Sequence, residues 1–192
     1  MAMLRSDAPA RPGRAAGWRE RVREFDERVD RAVDRVRSPA LDPVFYGLSS
    51  AADHGLLWLA IGSVRAAVAG DPAGALRLGA VLGVESALTN GPIKACFRRV
   101  RPPSDHPPEG PLPYGMHRPL TSSFPSGHAV SAFTAAVVLA DSPAAPALFA
   151  LAAAVAASRV YVRMHHASDV IAGAALGLVM GGVARRILGA RH

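Results

Sequence analysis

Residues 158–169 read SRVYVRMHHASD, which sets two adjacent histidines, His165 and His166, ahead of an aspartate and just before a long apolar run. Asp169 stands four residues after His165 and three after His166, so on a helix either ring can reach it, the i,i+4 pair more directly. An aspartate on one ring nitrogen fixes the tautomer and leaves the other nitrogen free to attack. Two further clusters carry groups suited to the same chemistry, KACFRRVRP at 94–102 and SFPSGH at 123–128. Brought together, Lys94, Arg98, Arg99, Arg101, Arg159 and Arg163 make a cationic basin, which must hold an anion or be balanced by one. Ser126 and Gly127 open an apolar run, so their backbone N–H groups can point outward unpaired, the arrangement by which helix N-termini bind phosphate.

The elements that must position these residues are helical. From Trp18 to Val36 the apolar positions Trp18, Val22, Phe25, Val29, Val33 and Val36 are three or four residues apart, one face of a helix, with Arg alternating with Asp and Glu opposite. That face suits a bilayer interface or the protein's own body better than self-association, because its heptad-like pattern lasts under three repeats. Residues 1–17 show no periodicity and read as a disordered basic arm, and residues 41–54 are too short and polar to span a bilayer. Residues 18–54 together form an amphipathic, interfacial segment. Five apolar stretches follow near 55–70, 75–93, 128–141, 144–163 and 168–188, and almost no charge falls on any face of the last three, which favours membrane spans over a soluble bundle. Arg65 can snorkel, whereas Glu85 needs a partner. Gly173, Gly177 and Gly181 give the last stretch a close-packing face. Counting crossings brings all three clusters to one membrane face.

Composition agrees with this picture. Half of the 192 residues are hydrophobic but only 6% are aromatic, which describes helices packed through small residues. The net charge of +7 is carried almost wholly by arginine, Lys94 being the only lysine. A basic chain suits nucleic acid, anionic lipid or a phosphorylated substrate, and the apolar runs exclude a soluble nucleic-acid binder. The single cysteine, Cys96, leaves no intramolecular disulfide, and no Cys/His/Asp cluster has metal-ligand spacing.

The motifs K-x6-R-P (Lys94 to Arg101-Pro102), P-S-G-H (Pro125 to His128) and S-R-x5-H-x3-D (Ser158-Arg159 through His165 to Asp169) occur in order, and in this the chain resembles the type-2 phosphatidic acid phosphatase superfamily over roughly residues 55–185. The resemblance implies an all-α, multi-pass membrane helix bundle of about five spans, residues 55–188 forming the phosphatase domain. It implies His165 as a nucleophile that forms a phosphohistidine, Asp169 as the group that orients and charges it, and His128 as general acid. Lys94, Arg101, Arg159, Ser126 and Gly127 would hold the phosphoryl oxygens, with no cofactor and no metal, because a cage of cations and N–H donors can stabilise the spread charge of phosphoryl transfer.

His166 falls outside the motif and reads as an interface histidine. Arg98, Arg99 and Arg163 extend the phosphate site or anchor the bilayer boundary, and His106, His117 and Arg118 decorate the proline-rich loop. The expected substrate is a membrane-embedded phosphorylated lipid. A polyprenyl diphosphate or a polyprenyl-phosphate sugar phosphate of the decaprenylphosphoryl-phosphoribose kind comes first, and phosphatidic acid or phosphatidylglycerol phosphate second. Non-enzymatic binding or transport of such lipids is the alternative class, and homo-oligomers are compatible with the sequence. The resemblance implies a site on the outer membrane face, whereas the arginines of residues 5–37 argue for the cytoplasmic face.

Overall fold

A computed structural model of the chain describes residues 14–103, 121–140 and 143–189, and among these every regular element is helical. Seven helices follow one another: α1 (Arg14–Val36), α2 (Asp42–Ala51), α3 (Leu56–Ala69), α4 (Pro72–Leu88), α5 (Gly127–Val138), α6 (Ala145–Tyr161) and α7 (Ala167–Gly189). A short 3-10 turn, Asp53–Gly55, joins α2 to α3, and a π turn, Thr89–Ile93, continues α4. Pro92 lies inside that turn, where it lacks an N–H to donate, and Gly91 departs from helical geometry. The five apolar stretches correspond to α3 through α7. Among the described residues, only α7, with 23 residues, is both long and apolar enough to cross a membrane; α5 and α6 are apolar but shorter.

The centre of the bundle is α5, which lies closest against α7 and also contacts α6 and α4. The glycine stripe explains that closeness. A Cβ added at Gly173 would sit 2.6 Å from the Ser126 carbonyl, at Gly177 2.4 Å from the Val130 carbonyl, and at Gly181 2.7 Å from Val137 Cβ. The backbones therefore touch, and Thr134 Oγ1 donates across the seam to the Gly177 carbonyl at 3.2 Å. Trp58, Leu78, Ala135, Ala152 and Val155 fill the space between α3, α4, α5 and α6.

Helix α1 starts at Arg14, so the basic arm expected over 1–17 gives way to helix three residues before Gly17; Arg14, Ala15 and Ala16 are good helix formers. Residues 1–13 and the loop carrying His106, His117 and Arg118 lie outside the described residues. Val29 and Val33 of α1 pack onto the body beside Val160 and Val170, while Trp18 at the N-terminal end is 61% exposed. The firmest attachment is polar: Asp26, 3% exposed, accepts from Arg99 Nη2 at 2.5 Å, from the Ser168 backbone N–H at 2.9 Å and from Ser168 Oγ at 2.8 Å. Arg163 adds ion pairs to Asp30, at 3.1 Å, and to Asp34.

A Gly177→Ala substitution forces backbone away from backbone and is expected to cost about 1–3 kcal/mol. Gly182→Ala, where an added Cβ meets nothing within 4 Å, is the control. Thermal unfolding in detergent should show a lowered Tm for the first alone; equal Tm values would contradict the packing described for α5 and α7.

Candidate active site

The three motif clusters meet at one end of the bundle, and local hydrogen bonds explain how. The segment after Lys94 and the segment before α5 are joined edge to edge: Ser123 N donates to the Arg99 carbonyl at 3.0 Å, Arg99 N to Ser122 Oγ at 3.2 Å, and Ser123 Oγ to the Val100 carbonyl at 3.4 Å. Phe97 and Phe124 pack their rings 4.6 Å apart beside this junction. The third cluster is a turn between α6 and α7, in which the Arg159 carbonyl accepts from both Met164 N and His165 N at 3.1 Å. Arg163 sits in the left-handed region at φ 58°, a conformation that costs an L-residue with a Cβ about 1–2 kcal/mol and that its ion pairs with α1 help to hold.

His165 is 2% exposed, and its ring is fixed at both ends. Nδ1 lies 2.7 Å from the Ser123 carbonyl, an acceptor only, so Nδ1 carries the hydrogen and Nε2 keeps a lone pair. That lone pair faces Arg101, whose Nη1 is 3.4 Å away. Asp169 Oδ2 is 3.8 Å from Nδ1, too far for a hydrogen bond. The tautomer expected to be set by Asp169 is thus set by a backbone carbonyl. Asp169 instead accepts from Arg99 Nη1 at 2.6 Å and from the His166 backbone N–H at 3.0 Å, and acts on His165 through space. Burial, opposed by Asp169 and reinforced by Arg159 and Arg101, pushes the His165 imidazole down to about 3, so it is neutral at ordinary pH.

Among the described residues, the cations donate their hydrogen bonds to neutral acceptors. Arg101 Nη1 donates to the Met164 carbonyl at 2.7 Å, and its Nη2 reaches the Thr121 and Ser122 carbonyls at 3.4 Å. Arg159, 3% exposed, donates to Ser49 Oγ of α2, while its buried Nε has no hydrogen-bond partner among the described residues. Helix α2 is itself pinned to α6, Tyr161 stacking on Phe45 at 4.2 Å and donating its hydroxyl to Asp42 at 2.8 Å. Lys94 Nζ donates to Asn90 Oδ1 at 2.9 Å and approaches the backbone of Gly127. Burial, followed by the charges of Arg101 and Arg159, lowers the Lys94 ammonium to about 8.

Not every expected donor is free. The Ser126 N–H is spent on the Asp169 carbonyl at 3.1 Å, because α5 and α7 begin side by side, and this corrects the expectation that it points outward unpaired. Ser126 Oγ is buried and has no hydrogen-bond partner among the described residues. Gly127 opens α5, where N–H groups have no acceptor within the helix. Arg99 and Arg163 are committed to carboxylates of α1 and α7, so neither extends a phosphate site nor snorkels, whereas Arg98 is exposed. His166 Nε2 lies 3.2 Å from the Val100 carbonyl, turned from His165's environment. Glu85 finds hydroxyl partners, Thr89 at 2.9 Å and Ser131 at 2.6 Å, and no arginine.

Three groups escaped sequence reasoning: the Ser123 carbonyl, Ser49, and Asp53, whose Oδ1 lies 2.8 Å from His128 Nε2. Only Asp53 carried a signal, a charged Asp-His-Gly turn immediately before an apolar run.

An all-helical bundle that presents a neutral, oriented histidine among buried cations has the groups that recognition of a phosphoryl anion requires. The chain belongs to the PAP2 superfamily, whose model matches residues 74–192. It is 35% identical over 100 residues to the decaprenylphosphoryl-5-phosphoribose phosphatase of Mycobacterium tuberculosis (strain H37Rv), covering 52% of this chain and 54% of that protein. The Mycolicibacterium smegmatis protein of the same name is 34% identical over 131 residues, 66% of this chain and 67% of the relative. The chain thus spans about half the length of the M. tuberculosis relative it matches. A transmembrane PAP2-type phosphatidylglycerolphosphate phosphatase from Bacillus subtilis superposes with a TM-score of 0.68 at 25% identity, covering 87% of this chain and 86% of that one. LpxE of Aquifex aeolicus, with a TM-score of 0.63 at 23% identity over 84% and 95% of the two chains, shares the fold.

Because Lys94 loses its charge as pH rises through about 8, inorganic phosphate should bind the protein more weakly above that pH. Calorimetric titration should show this loss, and Lys94→Met should bind weakly at every pH without it. Affinity unchanged up to pH about 9.5 would contradict the position assigned to Lys94 in the cage.

Proposed function

We propose that the chain is an integral, multi-pass membrane lipid phosphatase that works without a metal ion through a phosphohistidine. The observation that carries this reading is the His165 ring, with Nδ1–H donated to the Ser123 carbonyl and Nε2 presented beside Arg101. Nε2 attacks phosphorus, and the P–O bond to the lipid breaks as the leaving oxygen takes a proton from His128. His128 then removes a proton from water, the hydroxide attacks phosphorus, the P–N bond breaks, and phosphate departs. Lys94, Arg101, Arg159, the Gly127 N–H and the Ser126 hydroxyl stabilise the equatorial oxygens in both steps. The Ser123 carbonyl keeps His165 in position, and Asp169, 3.8 Å from Nδ1, offsets the positive charge the ring gains on attack.

In this reading α3 to α7 are the five spans of a domain over 55–188, and residues 18–54 lie along the interface. Large apolar side chains on the outer faces support bilayer contact: Val68 is 85% exposed, Leu76 76% and Val179 63%, a surface water would disfavour. A cavity of about 1300 Å³ between α1, α7 and the 97–103 segment, walled by Val22, Phe97, Val100, Phe124, Ile171 and Ala172, offers room for a lipid chain beside the motif segments. The substrate favoured is a polyprenyl lipid carrying a terminal phosphate, as in the decaprenylphosphoryl-5-phosphoribose phosphatases to which the chain is similar.

Phosphate release from detergent-solubilised protein tests this. A substrate panel of polyprenyl-phosphate sugar phosphate, polyprenyl diphosphate, phosphatidic acid and phosphatidylglycerol phosphate should rank a polyprenyl substrate first, insensitive to EDTA. His165→Ala should abolish activity, His128→Gln should lower it about 10²–10⁴-fold, and His166→Gln should retain it. Activity surviving in His165→Ala, or lost with EDTA, would overturn the mechanism; preference for phosphatidylglycerol phosphate would move the substrate to the class named for the Bacillus relative.

A further inference from the structure

Asp53 is a carboxylate that none of the three motifs contains, yet it makes a 2.8 Å contact with the imidazole assigned as acid and base. The contact is built in. Asp53 opens the turn between α2 and α3, and the next two residues, His54 at φ 54° and Gly55 at φ 74°, are both left-handed, which reverses the chain and holds Asp53 against the first turn of α5. Its side chain is 33% exposed and that of His128 17%, so the pair sits at the mouth of the site and not in the packed core. The charged groups facing the pair are Arg159 and Lys94 on the His128 side, and Arg159 and His54 on the Asp53 side.

Although partial burial works against its charge, the hydrogen bond from His128 and the positive charges of His128 and Arg159 hold the Asp53 carboxyl below the usual carboxylate range. An ionised carboxylate only accepts, so His128 Nε2 must carry a hydrogen, and Nδ1 is left as the nitrogen that exchanges protons with substrate.

Resting on the phosphatase reading above, we propose that Asp53 is a positioning residue for His128, fixing its Nε2–H tautomer and favouring the imidazolium that donates from Nδ1 to the leaving oxygen. In the first step the Nδ1 proton passes to the lipid oxygen as the P–O bond breaks, and His128 becomes neutral with Nε2–H still on Asp53. In the second, Nδ1 takes a proton from the attacking water and the imidazolium is restored against the same carboxylate. Asp53 stays ionised throughout, as a group that orients a histidine need not exchange the proton itself.

Two measurements on the full chain in detergent test this, using wild type, Asp53→Asn and Asp53→Glu. In ¹⁵N-histidine NMR, with the signal assigned by its absence in His128→Gln, His128 should be the Nε2–H tautomer in wild type and lose that bias in Asp53→Asn. In single-turnover release of the leaving alcohol, which reads the first step alone, Asp53→Asn should slow cleavage of a lipid phosphate about 100-fold but that of p-nitrophenyl phosphate by less than about threefold, because a nitrophenolate leaves without a proton. Asp53→Glu should recover part of the lipid activity. An unchanged tautomer, or equal losses on both esters, overturns the role of Asp53. Wild type releasing phosphate from neither ester would overturn the phosphatase reading, while the tautomer measurement would still decide whether Asp53 governs His128.

Discussion

Lys94, Arg101 and Arg159 come close enough to bear on one another, and like charges gathered in a largely buried place repel unless something compensates them. Among the described residues, the hydrogen-bond partners of these cations are neutral. Carbonyls of Thr121, Ser122 and Met164 hold Arg101, a serine of α2 holds Arg159, and an asparagine holds Lys94. Neutral acceptors fix direction without cancelling charge, so the basin keeps its attraction for an anion. The carboxylates nearby are placed at its edges: Asp53 on His128, Asp169 on Arg99, and Glu85 on two hydroxyls. Carboxylates hydrogen-bonded to the cations themselves would cancel that attraction.

The same constraint explains why so much of the chain converges on one end. Arg99 joins Asp26 of α1 to Asp169 of α7, so the N-terminal helix is tied by charge to the turn that carries His165. The turn is tied again through Arg163 to Asp30 and Asp34. The close α5–α7 seam brings the starts of both helices together, which puts Ser126 on the Asp169 carbonyl and the Ser123 carbonyl on His165. Helix packing through glycine therefore acts on the site directly: the distance between two backbones sets where the His165 ring is held.

The helices and the motif residues are legible in sequence because both depend on spacing. An i,i+3/i+4 apolar face gives α1, and fixed intervals mark Lys94, Arg101, His128, Arg159, His165 and Asp169. What is not legible is what a residue touches across the fold. The acceptor at His165 Nδ1 is a main-chain oxygen, which every residue possesses and none advertises. Arg99 and Arg163 look like spare cations in a row of arginines, and only the docking of α1 assigns them to aspartates. Asp53 and Ser49 sit in the polar stretch 41–54, where the missing apolar run conceals that α2 packs on α6 and supports Arg159. The start of α1 at Arg14 was hidden by the prolines and glycine just before it.

If phosphoryl passes through His165 Nε2, it can be trapped there. Rapid acid-free quenching of wild-type protein with ³²P-labelled polyprenyl-phosphate substrate, followed by proteolysis and mass spectrometry, should recover an acid-labile, alkali-stable label on the peptide containing His165. His128→Gln should leave the label in place, because it slows the departure of phosphate as well as its arrival. Label on another residue, or turnover with no labelled protein at any quench time, would contradict the account.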